Sequence, residues 1–380
     1  MSDTETTKSS ATNVKVTRDT ESWEAEVKAE IPADVFLRYR ASALKEMQKS
    51  AKLDGFRPGH APESEIIRAY GETAISRQAV EHAIQHELPI ILAKENLPVV
   101  ETPRVTIETP AAGKSVSFTA RAALAPEVIL PDYRTTSKKH SGKTEEAAIS
   151  DEEHSKALTY LRRERARIEK VEAGIEPKKA SEESRAMEEK DLPELDDAFT
   201  QSLGYENTAH FGTKIRENMK AEKERQIVDK RRQIILEELV KESKIFYPAV
   251  LREYELDEVE ARMKDDLSRV GTTFEAYLAE SKKTREQLRG EWKEPADKRA
   301  KIRLILSEIA RKENIEPDAE ALAKEVRNAR KHYKDASPEA LRAHIAHAMR
   351  NEAVLQFLEK NDVPTASEFD SKDKSATISV

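Results

Sequence analysis

The sequence predicts a multidomain protein: an α+β domain at the N-terminus, then a linker helix, then an elongated all-α C-terminal domain with helical arms. Two patterns carry this reading. Strict apolar–polar alternation occurs only in the first third of the chain, and beyond residue 150 apolar residues recur at steps of three and four. The composition agrees, because 36% charged and only 5% aromatic residues suit surface-rich helices better than one large core.

In "WEAEVKAEI", Trp23, Ala25, Val27, Ala29 and Ile31 point one way and the charges the other, which predicts a half-buried strand. "VSFTARAAL" repeats the pattern through Val116, Phe118, Ala120, Ala122 and Leu124, with "RVTIE" as its hairpin partner. Helices are expected between these strands, on the spacing of Phe36, Tyr39, Ala43, Leu44 and Met47 and of Ile75, Ala79, Ala83, Ile84, Leu88 and Ile91. Pro89 should kink or shorten the second. Residues 14–133 therefore form the α+β domain. Residues 134–190 read as linker around one helix at about 150–173, opened by a Ser150–Glu153 capping box. Residues 191–361 are nearly all helix, including one of over 30 residues through Phe211, Ile215, Met219, Ile227, Ile234, Ile235 and Leu239. A later helix opens at Pro248, carries Leu256, Val259, Met263, Leu267 and Val270 on one face, and stops at Gly271. Residues 1–13 and 362–380, rich in Ser, Thr, Asp and Lys, are expected to be disordered.

Several classes of function find no support. The net charge of -7 offers no global attraction to DNA or RNA. Cysteine is absent, which removes disulfides and thiolate chemistry. The start has no signal segment and no apolar stretch reaches membrane-spanning length, so a cytoplasmic protein with no membrane contact is expected. No phosphate-binding loop or dinucleotide fingerprint occurs, so no cofactor is predicted. The pairs His82/His86 and His344/His347 lack a third ligand at a familiar spacing and predict no metal. "RRERAR", Arg162 to Arg167, reads as a solvated helix face.

One loop stands out. In "DGFRPGHAP", Asp54-Gly55 can close a helix, Pro58-Gly59 signals a turn, and Pro62 can open the next helix. That leaves Phe56 and Arg57 at the tip of a tight helix–helix loop. Phe56 either caps the local core or is held out for another molecule, and an exposed aromatic beside an arginine is a common hot-spot pairing.

The stretch "GFRPGHAP" resembles the ribosome-docking signature of the trigger factor family of chaperones. "DLPELDDAFTQSLGYENTAHFGTKIRENM" and "RAKIRLILSEIARKENI" resemble the C-terminal domain of the same family, in the right order. The resemblance implies an ATP-independent chaperone that docks through Phe56, Arg57, Pro58 and Gly59 on protein and rRNA at the ribosomal tunnel exit. Nascent or unfolded polypeptide would be held by weak apolar contacts in a helical cradle, for which Met263, Phe274, Tyr277 and Trp292 are candidates, core packing being their alternative role. It is compatible with a homodimer off the ribosome. The family usually carries an FKBP-type prolyl isomerase domain between the two matched regions. Here Arg134 to Lys190 is too short for one and has Tyr160 as its only aromatic. No catalytic residue is expected. The rival readings are a prolyl isomerase with a cryptic site and a ribosome-independent helical scaffold or holdase.

Overall fold

The computed structural model describes residues 9–53, 56–57, 59–107, 114–141, 147–334 and 336–360. Residues 1–8 and 362–380, expected to be disordered, lie outside the described residues, as do Asp54, Gly55 and Pro58. The chain divides into two units, residues 1–130 with 243–308 and residues 131–242 with 309–380, so the units cut across the expected segment 191–361.

The first unit is built on an antiparallel sheet of β1 (Thr12–Asp19), β2 (Glu24–Ile31), β3 (Arg104–Ile107) and β4 (Val116–Ala123), in the order β1-β2-β4-β3. The alternating residues lie on one face: Val27 sits opposite Ala120 and Ala29 opposite Phe118, and all four are buried. Helices α1 (Ala33–Ser50) and α3 (Glu72–Lys94) bring Phe36, Ala43, Ala79, Ala83, Leu88 and Ile91 into the same core. The shorter α2 (Glu63–Tyr70) lies between them in sequence. Pro89 does not shorten α3, which continues to Lys94. The proline forfeits one helical hydrogen bond, and burial of Leu88, Ile91 and Leu92 around it outweighs that loss.

Order begins before residue 14. β1 starts at Thr12, with an irregularity in its pairing to β2 between Thr12 and Lys15, where Asn13 takes a positive φ of 53°. Ahead of the strand, Glu87 of α3 accepts hydrogen bonds from Ser9 Oγ (2.6 Å), Ser10 N–H (2.7 Å) and Tyr39 OH (2.7 Å). Glu87 is 1% exposed. Burial alone would raise its pKa, but these donors outweigh burial and lower it.

Still in the first unit, β5 (Glu127–Ile129) pairs with β6 (Lys244–Phe246). Trp23 stacks on Phe246 with ring centroids 5.0 Å apart and donates its indole N–H to Ala125 O at 2.8 Å. These contacts hold a bulky residue at φ 56°. Helices α9 (Ala249–Arg269), α10 (Phe274–Ser281) and α11 (Arg285–Glu313) follow, the unit ending at residue 308 within α11. Ion pairs join α9 to α11. Arg289 meets Glu253 (2.9 Å), Asp257 (2.7 Å) and Glu260 (3.0 Å), and Arg303 meets Glu255 (3.1 Å) and Glu258 (2.9 Å). Burial would raise the pKa of Glu260, yet Lys264, Arg285 and Arg289 bring it down to about 2. Glu255 is equally buried and less well compensated, and its pKa is raised.

In the second unit, α8 runs over 35 residues, Thr208–Glu242, with Phe211, Ile235 and Leu239 buried. Against it lie α4 (Tyr133–Ser141) and α5 (Asp151–Glu172), and α6 (Pro177–Ala186) lies against α5. The short α7 (Asp197–Ser202) precedes α8, and α12 (Ala319–His332) and α13 (Pro338–Lys360) form a helical pair. The capping box of Ser150 and Glu153 opens α5. Two stretches expected as linker are helices. α4 buries Thr136 and Ser137, and the Ser137 hydroxyl donates to Leu358 O. α6 buries Ala180 and Ser184. Small residues of this kind leave no apolar period to read. Of the stripe expected on α5, Leu158, Leu161 and Val171 are half-buried and Ile168 is exposed; the residue fully buried on that helix is Ala166. Arg232 of α8 forks between Glu352 (2.8 Å) and Glu359 (2.7 Å) of α13.

Candidate functional site

α1 stops at Ser50, where the Ala51 N–H closes the last turn on Met47 O at 2.8 Å. It therefore ends ahead of Asp54-Gly55, the closing pair expected from the sequence. The loop to α2 rests on two feet. Ala51 and Ala61 are buried with Leu44, Ile66 and Ile75, and Leu53 and Met47 lie against this cluster. Gln48 ties the two strands of the loop together: its carbonyl accepts the Gly59 N–H at 3.2 Å and its side-chain amide donates to Ala61 O. Within the tip, Phe56 N–H meets Leu53 O (3.1 Å) and His60 N–H meets Arg57 O (3.0 Å). Gly59 sits at φ +87°, which favours glycine.

This backbone decides where the aromatic goes. Leu53 is the loop residue turned to the local core, and Phe56 is left 40% exposed beside the exposed Arg57. Phe56, Arg57 and Gly59 are thus brought together at one loop tip, and Pro58, between them in sequence, lies outside the described residues. Arg57 has no carboxylate partner among the described residues. Sequence reasoning missed Gln48, whose contribution is made by position and leaves no periodic signal.

The four cradle candidates are placed in the first unit. Phe274 opens α10 and is 6% exposed, with the Lys264 ammonium 5.1 Å from its ring centroid. Met263, Tyr277 and Trp292 are half-buried. The most exposed apolar residue of this helical region is Val270, at 75%, because α9 ends at Arg269 and Val270 leaves the helical face it was expected to share. Tyr254, 50% exposed, is a second apolar surface residue the sequence did not single out.

The remaining candidates resolve as structural groups. His82 pairs with Glu46 at 3.0 Å, and His86 meets Tyr39 OH at 2.9 Å. Among the described residues no cluster of three metal-ligating side chains occurs, and no helix is long and apolar enough to cross a membrane. The arginines of "RRERAR" are not a solvated face. Arg162 donates to the carbonyls of Leu192 (2.6 Å) and Pro193 (3.0 Å). Arg163 donates to those of Ser184, Arg185 and Met187 at 2.8–3.0 Å. Arg165 lies over the Phe199 ring at 4.6 Å. They bind the C-terminal end of α6 and the segment after it to α5.

Comparison with known proteins gives a consistent result over both ends of the chain. The family model for the bacterial trigger factor protein matches residues 12–161, and that for the trigger factor C-terminus matches residues 209–363. The trigger factor of Caldicellulosiruptor bescii is 25% identical over 378 residues, covering 81% of this chain and 85% of its own length. That of Thermus thermophilus is 25% identical over 350 residues, covering 77% and 84%. A solved structure from work on promiscuous substrate recognition by the trigger factor chaperone shares the fold, with a TM-score of 0.51 at 16% identity, over 92% of this chain and all of that one.

Proposed function

We propose, from the premise that this chain belongs to the trigger factor family of ribosome-associated chaperones, that it docks beside the tunnel exit through Phe56 and Arg57 and holds emerging polypeptide without ATP. The observation that carries the docking assignment is the exposed Phe56 above a loop whose apolar plug is Leu53. A turn that needed its phenylalanine for stability would bury it. This one fixes its backbone through Gln48, Ala51 and Ala61 and leaves the aromatic and the guanidinium outside, where a protein or RNA surface at the exit can take them. Pro58 and Gly59 complete the tip, Gly59 by supplying the left-handed turn.

Client holding rests on the helical region. Val270 and Tyr254 offer exposed apolar surface there, and Met263, Tyr277 and Trp292 are partly open. Phe274, nearly covered, serves the packing under that surface. At about 25 cal/mol per Å², a few hundred Å² of contact yields several kcal/mol before ordering costs, enough for reversible holding. The charged residues, 36% of the chain, keep such a surface dispersed when empty.

The isomerase activity usual in the family is not carried over. Among the described residues, Arg134 to Lys190 is helical and supplies no sheet or aromatic-lined pocket. The alignment with the C. bescii protein spans 378 positions while drawing on 81% of this 380-residue chain, so part of that relative aligns with no residue here. The cytoplasm is the compartment this function requires.

The test is co-sedimentation with ribosomes, wild type against a Phe56→Ala, Arg57→Ala, Pro58→Ala variant whose fold is checked by circular dichroism. Wild type should pellet and the folded variant should stay in solution. Equal pelleting of both, or of neither, removes the docking role from this loop.

A further inference from the structure

The tip itself brings little charge to a ribosome: between Phe56 and His60 the one permanent cation is Arg57. The helix behind it brings more. Lys45 and Lys49 are exposed and one helical turn apart on α1, on the side opposite buried Ala43 and half-buried Met47, and Lys52, also exposed, follows in the loop. At 1.5 Å rise per residue the two helical lysines are about 6 Å apart. Several cations elsewhere on this chain are held by carboxylates, among them Arg38 by Asp34 (3.5 Å), Arg40 by Glu72 (2.6 Å), Lys156 by Glu152 (2.6 Å) and Lys214 by Glu217 (2.7 Å). Lys45, Lys49, Lys52 and Arg57 have no such partner among the described residues. The acidic residue flanking the stripe on α1, Glu46, is occupied by His82 at 3.0 Å. A chain of net charge -7 thus places four exposed cations without a carboxylate partner among the described residues between residues 45 and 57, at the place assigned to the ribosome.

We infer that Lys45, Lys49 and Lys52 form a phosphate-contact rail that lays α1 along an RNA backbone while Phe56 and Arg57 engage the docking point. The inference rests on the docking reading above and names the chemistry of its second contact. Lysine ammonium groups on flexible stems are non-directional point charges, which suits a phosphodiester chain read without regard to sequence. The stripe carries no aromatic or amide group that would specify a protein surface.

Salt dependence tests it. Ribosome affinity is measured over a range of KCl at fixed magnesium for four folded proteins. They are wild type, Phe56→Ala, the triple variant Lys45→Gln/Lys49→Gln/Lys52→Gln, and a charge-matched control, Lys178→Gln/Lys179→Gln/Lys334→Gln. Each phosphate contact adds about 0.7–0.9 to the slope of log affinity on log salt, so losing three should flatten it by about two. Phe56→Ala should weaken binding with the slope kept, and the control should match wild type. A rail variant with wild-type affinity and slope overturns the inference and leaves docking intact. One that binds more weakly with an unchanged slope assigns the lysines to a protein surface and overturns the RNA assignment. Equal flattening in the control shows general charge to be the cause and also overturns it. If wild type binds at no salt concentration, the docking reading falls and the rail with it.

Discussion

Glu87 is a buried carboxylate whose partners tie the start of the chain to the second long helix of the α+β region, and it offers a sharp test of that anchoring. Its Oε2 accepts from Ser9 Oγ and Ser10 N–H and its Oε1 from Tyr39 OH, all at 2.6–2.7 Å. Hydrogen bonds to a charged acceptor contribute about 1.5–3 kcal/mol each, offset by the burial of the charge, so replacing Glu87 with leucine should weaken the anchor by about 2–4 kcal/mol. The loss should be local. β1 is an edge strand paired only with β2, and its pairing is irregular between Thr12 and Lys15, so it is the element that the tether restrains. Hydrogen exchange of residues 12–18 is the assay, and a loss of about 2 kcal/mol appears as roughly thirtyfold faster exchange there. Glu87→Gln should do less, because the Tyr39 hydroxyl can turn to accept from the new amide.

The pH dependence has a definite sign. The folded pKa of Glu87 is below its ordinary value of 4.5, so its contribution is present above about pH 4.5 and is lost as pH falls through the folded value. Protection of β1, with each rate referred to the intrinsic exchange rate at that pH, should therefore fall on acidification in the wild type, and Glu87→Gln should blunt this acid response. Unchanged β1 exchange in Glu87→Leu, or an undiminished acid response in Glu87→Gln, would refute the tether.

Three further outcomes follow from the same geometry. Gly59→Ala meets no atom within 4 Å, so its effect is purely the left-handed backbone at φ +87°; a cost of about 1–2 kcal/mol should disorder the tip and lower ribosome affinity with global circular dichroism unchanged. Arg163→Met leaves the carbonyls of Ser184, Arg185 and Met187 without their donor, and limited proteolysis should cut near α6 several-fold faster than in the wild type. Glu260→Gln removes the charge shared by Lys264, Arg285 and Arg289 and should lower the thermal midpoint, with the deficit shrinking in high salt as the wild-type pairs are screened; a deficit independent of salt would point to packing instead.

How much of this was legible depended on whether burial left a period. β2 and β4 were readable because Val27, Ala29, Phe118 and Ala120 alternate into one core, and α1, α3 and α8 because their apolar residues return every third or fourth position. β1 was not, since its partly covered residues amount to Val14 and Val16 beside a register irregularity. α4 and α6 were not, since they bury Thr136, Ser137, Ala180 and Ser184, which a hydropathy pattern scores as linker. The pairing of β5 with β6 joins three-residue strands far apart in sequence and has no local signature at all. At the loop between α1 and α2, Phe56 and Arg57 were legible as residues, but whether the phenylalanine lay in or out depended on Leu53 and Gln48, whose roles exist only in three dimensions.

The "RRERAR" run, expected to face solvent, instead holds α5 to the segments around α6. A helix with few apolar residues can bind a neighbour if its arginines reach the carbonyl groups that every helix end leaves unpaired. Arg162 and Arg163 do this for the end of α6 and the turn after it, and Arg165 adds a stacking contact on Phe199. Between α9 and α11 the carboxylates Glu255 and Glu260 are buried against Arg303, Arg285 and Arg289. Such contacts depend on direction and pairing, so helices joined this way need little apolar area between them. That leaves apolar residues such as Val270 and Tyr254 free at the surface, which a chaperone that holds unfolded chains by weak contacts requires.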